Sequence, residues 1–360
     1  MIPASKTRYW FGPAPELLLQ WLSRQAYSKC FILTDDNTSQ HCLPVLLQGW
    51  PADRPLHEIK VYAGEQNKTL QAAEYIWQQL TLKGADRHAL LINLGGGMIC
   101  DLGGFAAATY KRGIAFLHLP TTLLAQADAA YGGKLAIDFM NYKNHIGVFG
   151  FPVAVISDRQ FLKTLPADQV RSGFAEIIKH ALLDGKKALL HLSEIQHLQE
   201  VDWSPFIARS VKAKLKVTEA DPFERHDRKV LNFGHTIGHA IEGLLLHRKA
   251  NPLHGLCVAA GMIAELYLSH HCCGLKEKTF IQAVSLLRRH FPDPLISEAD
   301  FAEVLGFLRQ DKKNREGEVR FVLLRKAGKA VLDVTVTEEQ ILEALDFLVS
   351  PPDPQPKPVT

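Results

Sequence analysis

Ala89-Leu90-Leu91-Ile92-Asn93-Leu94-Gly95-Gly96-Gly97-Met98-Ile99-Cys100-Asp101 decides the architecture. Its first six residues make an apolar strand that runs straight into a glycine triplet, with a helix to follow. A strand, a glycine turn and a helix leave bare amides at a helix N-terminus, where the amides and the helix dipole both favour an anion such as pyrophosphate. The spacing is not Gly-x-Gly-x-x-Gly, and glycine triplets also serve tight turns, so a nucleotide needs support from other segments.

On either side, strand-like and helix-like runs alternate. Phe31-Ile32-Leu33-Thr34-Asp35 and Lys60-Val61-Tyr62 read as short strands, Thr69 to Leu82 as a helix capped near Thr69, and Ala115-Phe116-Leu117-His118-Leu119 as a strand stopped by Pro120. This alternation over the first ~150 residues predicts a parallel sheet with helices on its faces. Thr121 and Thr122 follow Pro120, just past a strand end, where such sheets bind ligands and where a helix cap is an equal alternative. After Asp158 the pattern becomes helical, with amphipathic runs over 171–184, 205–218, 234–247, 255–271 and 278–290. A hairpin is expected over 319–324 and 330–332, and a last helix over 337–349. The division expected is 1–158 for an α/β nucleotide-binding domain, 159–350 for a mainly helical domain, and 351–360 for a proline-rich disordered tail.

Length and composition agree with two domains. The 360 residues are 47% hydrophobic and 22% charged, close to an ordinary soluble globular chain. A formal charge of +3 is too small for a nucleic-acid surface. No window approaches the ~18 uninterrupted apolar residues of a membrane span, and Met1-Ile2-Pro3-Ala4-Ser5-Lys6 lacks the apolar core of a signal peptide. Six cysteines, with no Cys-x-x-Cys pair, predict reduced thiols in a cytoplasmic protein.

A second signal lies in Leu231-Asn232-Phe233-Gly234-His235-Thr236-Ile237-Gly238-His239-Ala240-Ile241-Glu242. His235 and His239 stand at i and i+4 and share a helix face. His254 follows in Pro252-Leu253-His254-Gly255, and Glu176 lies in an earlier amphipathic segment. One carboxylate plus two histidines is a known ligand set for catalytic zinc, leaving a position for water or substrate. Among 16 histidines such a pair more often caps, packs or faces solvent. Metalloprotease chemistry is excluded, because Thr236 stands where His-Glu-x-x-His needs its general base. Anion donors are dense around Lys111-Arg112, Gly132-Gly133-Lys134 and Lys143-Asn144, and recur at Lys163-Thr164, Lys179, Lys214, Arg228 and Asp311-Lys312-Lys313-Asn314. Together they suit a substrate carrying phosphate and carboxylate.

The ordered series is specific: Gly64-Glu65-Gln66-x-Lys68, Gly95-Gly96-Gly97-x-x-x-Asp101, Gly104-Phe105, Lys111-Arg112-Gly113, Pro120-Thr121-Thr122-Leu123-Leu124-Ala125-Gln126, Asp128, Gly132-Gly133-Lys134, Lys143-Asn144, Ala175-Glu176-x-x-Lys179-His180, Leu231 to His239 and His254-Gly255. From about residue 30 to 349 the chain closely resembles the 3-dehydroquinate synthases of the sugar-phosphate cyclase superfamily. The resemblance implies an NAD-binding, Rossmann-like α/β domain, a mainly α-helical metal-binding domain, and an active site in the cleft between them. It implies Glu176, His235 and His254 as ligands of zinc or cobalt, with His239 catalytic and not a ligand. NAD contacts are implied at Asp35, Asn37, Glu65, Lys68, Gly97, Met98, Ile99, Cys100 and Asp101. Further contacts are implied at Thr121, Thr122, Lys134, Lys143, Lys163 and Thr164. Asp128, Lys134, Asn144, Lys179, Lys214, Arg228, Asn232 and Lys312 match positions that act on substrate, and Arg112 matches one that reaches across a homodimer interface.

The implied reaction oxidises a ring hydroxyl of a phosphorylated seven-carbon keto-acid sugar with NAD. Phosphate then leaves by β-elimination, hydride returns, the ring opens, and an aldol step closes the carbocycle. Several positions depart from the pattern. Cys100 stands for a glycine and would crowd the pyrophosphate; Leu135, Ala136, Ile137 and Asp138 follow Lys134 in place of Thr-Gly-x-Asn; Ala130 replaces a serine and Leu256 an acid. Three other readings stay open: a cyclase of another sugar phosphate, a metal-dependent NAD polyol dehydrogenase, and an inactive NAD-binding paralogue.

Overall fold

The computed structural model describes residues 7–51, 54–140, 142–309 and 319–350. Two compact units divide the chain: Met1–Ile177 with Leu198–Arg228, and Ile178–His197 with Lys229–Thr360. In chain order come β1 (Arg8–Phe11), α1 (Ala14–Leu22), β2 (Cys30–Asp35), α2 (Asp36–His41), α3 (Leu43–Leu46), β3 (Leu56–Val61) and α4 (Leu70–Leu82). Next are β4 (Leu90–Gly95), α5 (Gly97–Thr109), β5 (Ala115–Pro120), a hairpin of β6 (Lys134–Phe139) and β7 (Tyr142–Phe149), and β8 (Ala154–Ser157). Helix α6 (Ala167–Asp184) begins in the first unit and ends in the second. Helix α7 (Lys186–Ser193) belongs to the second unit and α8 (Ser204–Ala220) to the first. The second unit then holds α9 (His235–His247), α10 (His254–Cys273), α11 (Glu277–His290), α12 (Phe301–Arg309), β9 (Arg320–Lys326), β10 (Lys329–Thr335) and α13 (Glu338–Val349).

The first unit is the expected α/β layer. Its six-stranded sheet runs β1-β8-β5-β4-β2-β3, and every neighbouring pair is parallel. Alternate residues of one strand feed opposite faces. Phe31, Leu33 and Leu91 pack with Ala73, Ile76 and Leu80 of α4 and Ile99, Leu102 and Phe105 of α5. On the other face Ile32, Leu90, Ile92 and Leu94 pack with Leu18, Trp21 and Leu22 of α1. Burial on both sides is why Ala89 to Leu94 reads as an apolar run broken only by Asn93. Thr69 caps α4 as expected, its hydroxyl accepting the Ala72 amide at 3.2 Å.

Strand order fixes where a ligand can sit. From β2 the chain steps outward to β3, and from β4 it steps the opposite way to β5. The direction therefore reverses between β2 and β4, and the crevice at such a reversal is the usual binding place of open α/β sheets.

The second unit is mainly helical, with the antiparallel β9–β10 hairpin and α13 where a hairpin and last helix were expected. Its centre is α10, apolar around most of its circumference and touching α9, α11, α13 and β9. Among the described residues it is the one helix long and apolar enough to cross a membrane, yet 67% of its apolar window is buried inside the protein. That is the signature of a core helix. The tail 351–360 and Lys312 lie outside the described residues.

Candidate active site

The strand ends on the reversing edge carry the residues expected to meet a nucleotide. Asp35 closes β2, and its carboxylate accepts the Thr38 amide at 2.8 Å, capping α2. Gly95 closes β4, and Gly96 caps α5 without a side chain. A Cβ on Gly96 would come within 2.9 Å of Thr122 Cγ2, so glycine is what lets the two loops approach. The amides of Gly97, Met98 and Ile99 open the helix, where no intrahelical acceptor reaches them. Cys100 differs, because its amide donates to Gly96 O at 3.0 Å. Its thiol is 1% exposed and faces the Gly95 carbonyl, so the side chain turns into the fold and the expected crowding is not found. Thr121 ties β5 to β4 by donating its amide to Gly95 O at 3.0 Å. Thr122 takes the capping role, its hydroxyl accepting the Ala125 amide at 3.1 Å. Lys163 and Thr164 lie in a turn of 3-10 helix, Arg159–Thr164, after β8.

A buried cation organises the neighbouring loops. Lys68 is 2% exposed, with Nζ 2.7 Å from Glu65, 3.3 Å from Asp101, 3.8 Å from Asp138 and 2.8 Å from Asn144 Oδ1. Burial pulls its pKa down, but Glu65, Asp101 and Asp138 outweigh burial and hold it above the usual lysine range. Burial pushes Asp101 up to about 6 against the opposing pull of Lys68. It raises Asp138 too. Lys143 Nζ stands 3.8 Å from Glu65. Asp138 accepts the Asn144 amide at 2.8 Å and donates its own to Lys68 O at 2.8 Å. It thereby supports Asn144 in the left-handed region at φ +50°. Leu135 is buried against Gly104 of α5, where a Cβ would strike its Cδ2. The two departures that looked like losses are thus a packing contact and an ion pair.

Cations gather around the Gly132-Gly133 turn of the same unit. Lys134 pairs with Glu224, and Lys214 Nζ meets Asp128 at Oδ1 (3.0 Å) and at its carbonyl (2.8 Å). Arg228 is 2% exposed and donates from Nη1 to Pro222 O at 2.5 Å, while its Nε has no hydrogen-bond partner among the described residues. A Cβ on Gly132, at φ +90°, would come within 2.8 Å of Arg228 Nη2. Glu224 was not read from the sequence, since nothing local signals a partner 90 positions from Lys134. Arg112 is exposed at φ +67° beside Lys111 at φ +49°. Glu176 is buried on α6, three residues before Lys179.

In the second unit three imidazoles converge. His235 opens α9, His239 lies one turn on, and His254 opens α10. Each offers a ring nitrogen within 4.8 Å of the others. Glycines allow this closeness. A Cβ on Gly261 would strike the Gly234 carbonyl and reach within 2.5 Å of the Gly238 nitrogen, and one on Gly238 would lie 2.9 Å from Cys257 O. His235 Nδ1 lies 3.1 Å from Phe233 O; a carbonyl only accepts, so this nitrogen carries a hydrogen, which in the neutral ring leaves Nε2 its lone pair. His254 Nδ1 lies 3.2 Å from Glu242 Oε2, a carboxylate 2% exposed. Neutral imidazoles whose far nitrogens are held by a carbonyl and a carboxylate fit a divalent ion such as zinc. His239, expected outside the ligand set, stands in the same cluster. Asn232 ends the turn of 3-10 helix just before α9.

Comparison with known proteins identifies the family of the chain. The family model for the 3-dehydroquinate synthase N-terminal region matches residues 58–172, and that for the C-terminal region matches 173–314. A 3-dehydroquinate synthase of Parabacteroides distasonis is 42% identical over 332 residues, 92% of this chain and 94% of that protein. Among solved structures, a 2-deoxy-scyllo-inosose synthase complexed with carbaglucose-6-phosphate, NAD+ and Co2+ has a TM-score of 0.84 at 25% identity, covering 94% of this chain and 95% of its own. A 2-epi-5-epi-valiolone synthase from Streptomyces hygroscopicus, with NAD+ and Zn2+ bound, also scores 0.84 at 25% identity, covering 97% and 98%. Fold and site together define a sugar-phosphate cyclase architecture. Within that class, the chain belongs to the 3-dehydroquinate synthase family.

Proposed function

We propose that this chain converts 3-deoxy-D-arabino-heptulosonate 7-phosphate to 3-dehydroquinate and phosphate, a carbon–oxygen lyase step of the shikimate pathway toward chorismate and the aromatic amino acids. The observation that carries this reading is Arg228, buried with an unpartnered Nε beside the Gly132 turn that leads to Lys134. An enzyme oxidising a simple polyol has no use for such an anion holder.

When bound, NAD supplies a hydride acceptor and zinc or cobalt supplies a Lewis acid. Glu176, His235 and His254 are the ligand set, and His239 holds or moves a proton beside them. The opening amides of α5 (Gly97, Met98, Ile99) take the pyrophosphate. Asp35, Asn37, Glu65, Lys68, Asp101, Thr121, Thr122, Lys143, Lys163 and Thr164 complete the nucleotide contacts. Cys100 serves them only by packing beneath the turn. Lys134, Lys179, Lys214, Arg228, Asn232 and Lys312 orient the phosphate and carboxylate of the substrate, while Asp128 and Asn144 hold its hydroxyls, which is catalysis by positioning. In this reading 1–158 carries the nucleotide and 159–350 the metal. The enzyme is a cytoplasmic homodimer, with Arg112 reaching the other protomer's substrate, and it acts on neither nucleic acid nor membrane.

The test is to give the metal-loaded protein catalytic NAD and the heptulosonate phosphate, and to measure inorganic phosphate and dehydroquinate. One phosphate per dehydroquinate without accumulating NADH is expected. Stoichiometric NADH from a polyol would instead identify a dehydrogenase. A second reading, cyclisation of another sugar phosphate, draws on Leu135 and Asp138; phosphate release from a different sugar phosphate alone would select it.

A further inference from the structure

Helix α9 begins with no side chain of its own to cap it, because its N-cap is Gly234 at φ +79°. Its first amides are instead taken by Glu265 of α10. Glu265 Oε2 accepts the Gly234 amide at 2.5 Å, and Oε1 accepts those of Thr236 and Ile237 at 3.0 and 3.1 Å. The residue is 0% exposed. A buried carboxylate is costly unless it is fully engaged, and three amides at the positive end of a helix are such an engagement.

The pattern is reciprocal. His254, Val258, Gly261 and Glu265 recur at spacings of four, three and four, which puts them on one stripe of α10 facing α9. At one end of this stripe Glu242 of α9 holds His254 Nδ1; at the other, Glu265 holds the start of α9. Between them the glycine crossing allows no slack. His235 lies inside the span that Glu265 grips, flanked by Gly234 and Thr236.

We propose that Glu265 is the positioning residue of the imidazole group: by gripping the first turn of α9 from α10 it sets His235 at bonding distance from the ion that His254 also meets, with His239 held beside them. This rests on the metal reading above. In Glu265→Gln one acceptor oxygen becomes a donor, and it would face an amide that is itself a donor.

Titration of the apo, full-length protein with Co2+ or Zn2+ tests it, with the cobalt visible spectrum and NAD affinity as further readouts. Glu265→Gln should weaken metal binding by about 10- to 100-fold, the usual effect of losing a residue that orients ligands, and shift the cobalt spectrum while NAD affinity stays. Glu265→Asp, which keeps the charge, should recover part of the loss and covers the case in which the glutamine variant does not fold. Leu287→Ala, in the core of α11, is the control for general destabilisation and should keep the wild-type metal affinity. Wild-type affinity and spectrum in Glu265→Gln, or an equal loss in Leu287→Ala, would overturn the inference. Failure of the wild-type protein to bind metal would instead overturn the metal reading itself.

Discussion

Asp101 shows how one side chain combines two demands. Its place in the second turn of α5 suits a nucleotide contact, yet burial raises its pKa from 3.8 to about 6 despite Lys68 at 3.3 Å. A carboxyl whose folded pKa is raised favours the folded state most when protonated. Its contribution is complete below the unfolded pKa and is lost as pH rises through about 6. We therefore expect the wild-type protein to lose about 1–2 kcal/mol relative to Asp101→Asn between about pH 4 and 7, a discounted value because the side chain keeps some solvent contact. Unfolding free energies of both proteins across that range check it, and a pH-independent difference would refute it. At this scale the sequence was only partly legible. Asp101, Lys68 and Asn144 stood out by motif. The carboxylates that pair with Lys134 and grip the start of α9 did not, because Glu224 lies 90 positions from Lys134 and Glu265 lies 29 from Thr236. No local pattern announces such a partner.

Elements were easier to read where one face was buried, and harder where solvent covered both. Helices α4, α6, α8, α9 and α11 follow their apolar periodicity, and β4 its apolar run, with ends shifted by a few residues; α10, expected to be amphipathic, is instead apolar nearly all round because it is the core of its unit. The β6–β7 hairpin escaped, since β7 is largely exposed and mixes Lys143, Asn144 and His145 with apolar residues, which leaves no period to find. Glycine roles were also hidden, because a helical glycine looks the same whether it is crossed by another backbone or faces open space. Gly261 and Gly306 make the contrast measurable. Gly261→Ala drives a Cβ into the backbone of α9 and should cost about 3 kcal/mol or more, at the upper end for overpacking. Gly306→Ala on α12 meets nothing within 4 Å among the described residues and should stabilise by up to about 1 kcal/mol through helix propensity. Calorimetry of the two variants decides; a Gly261→Ala protein as stable as wild type would remove the close crossing from the account.

For the whole molecule, the alternation of strands and helices followed by helices alone was enough to foretell a parallel sheet and a helical unit. Which residues would meet within each unit was not, since contacts between distant segments depend on packing that no short window records. The proposed reaction oxidises its substrate and reduces it again within one turnover. A substrate carrying deuterium on the carbon whose hydroxyl is oxidised, mixed with unlabelled substrate, tests that directly by mass spectrometry of the product. The account predicts that every labelled molecule keeps its deuterium and that none passes to an unlabelled one. Label scrambled between molecules, or lost into free NADH, would contradict it.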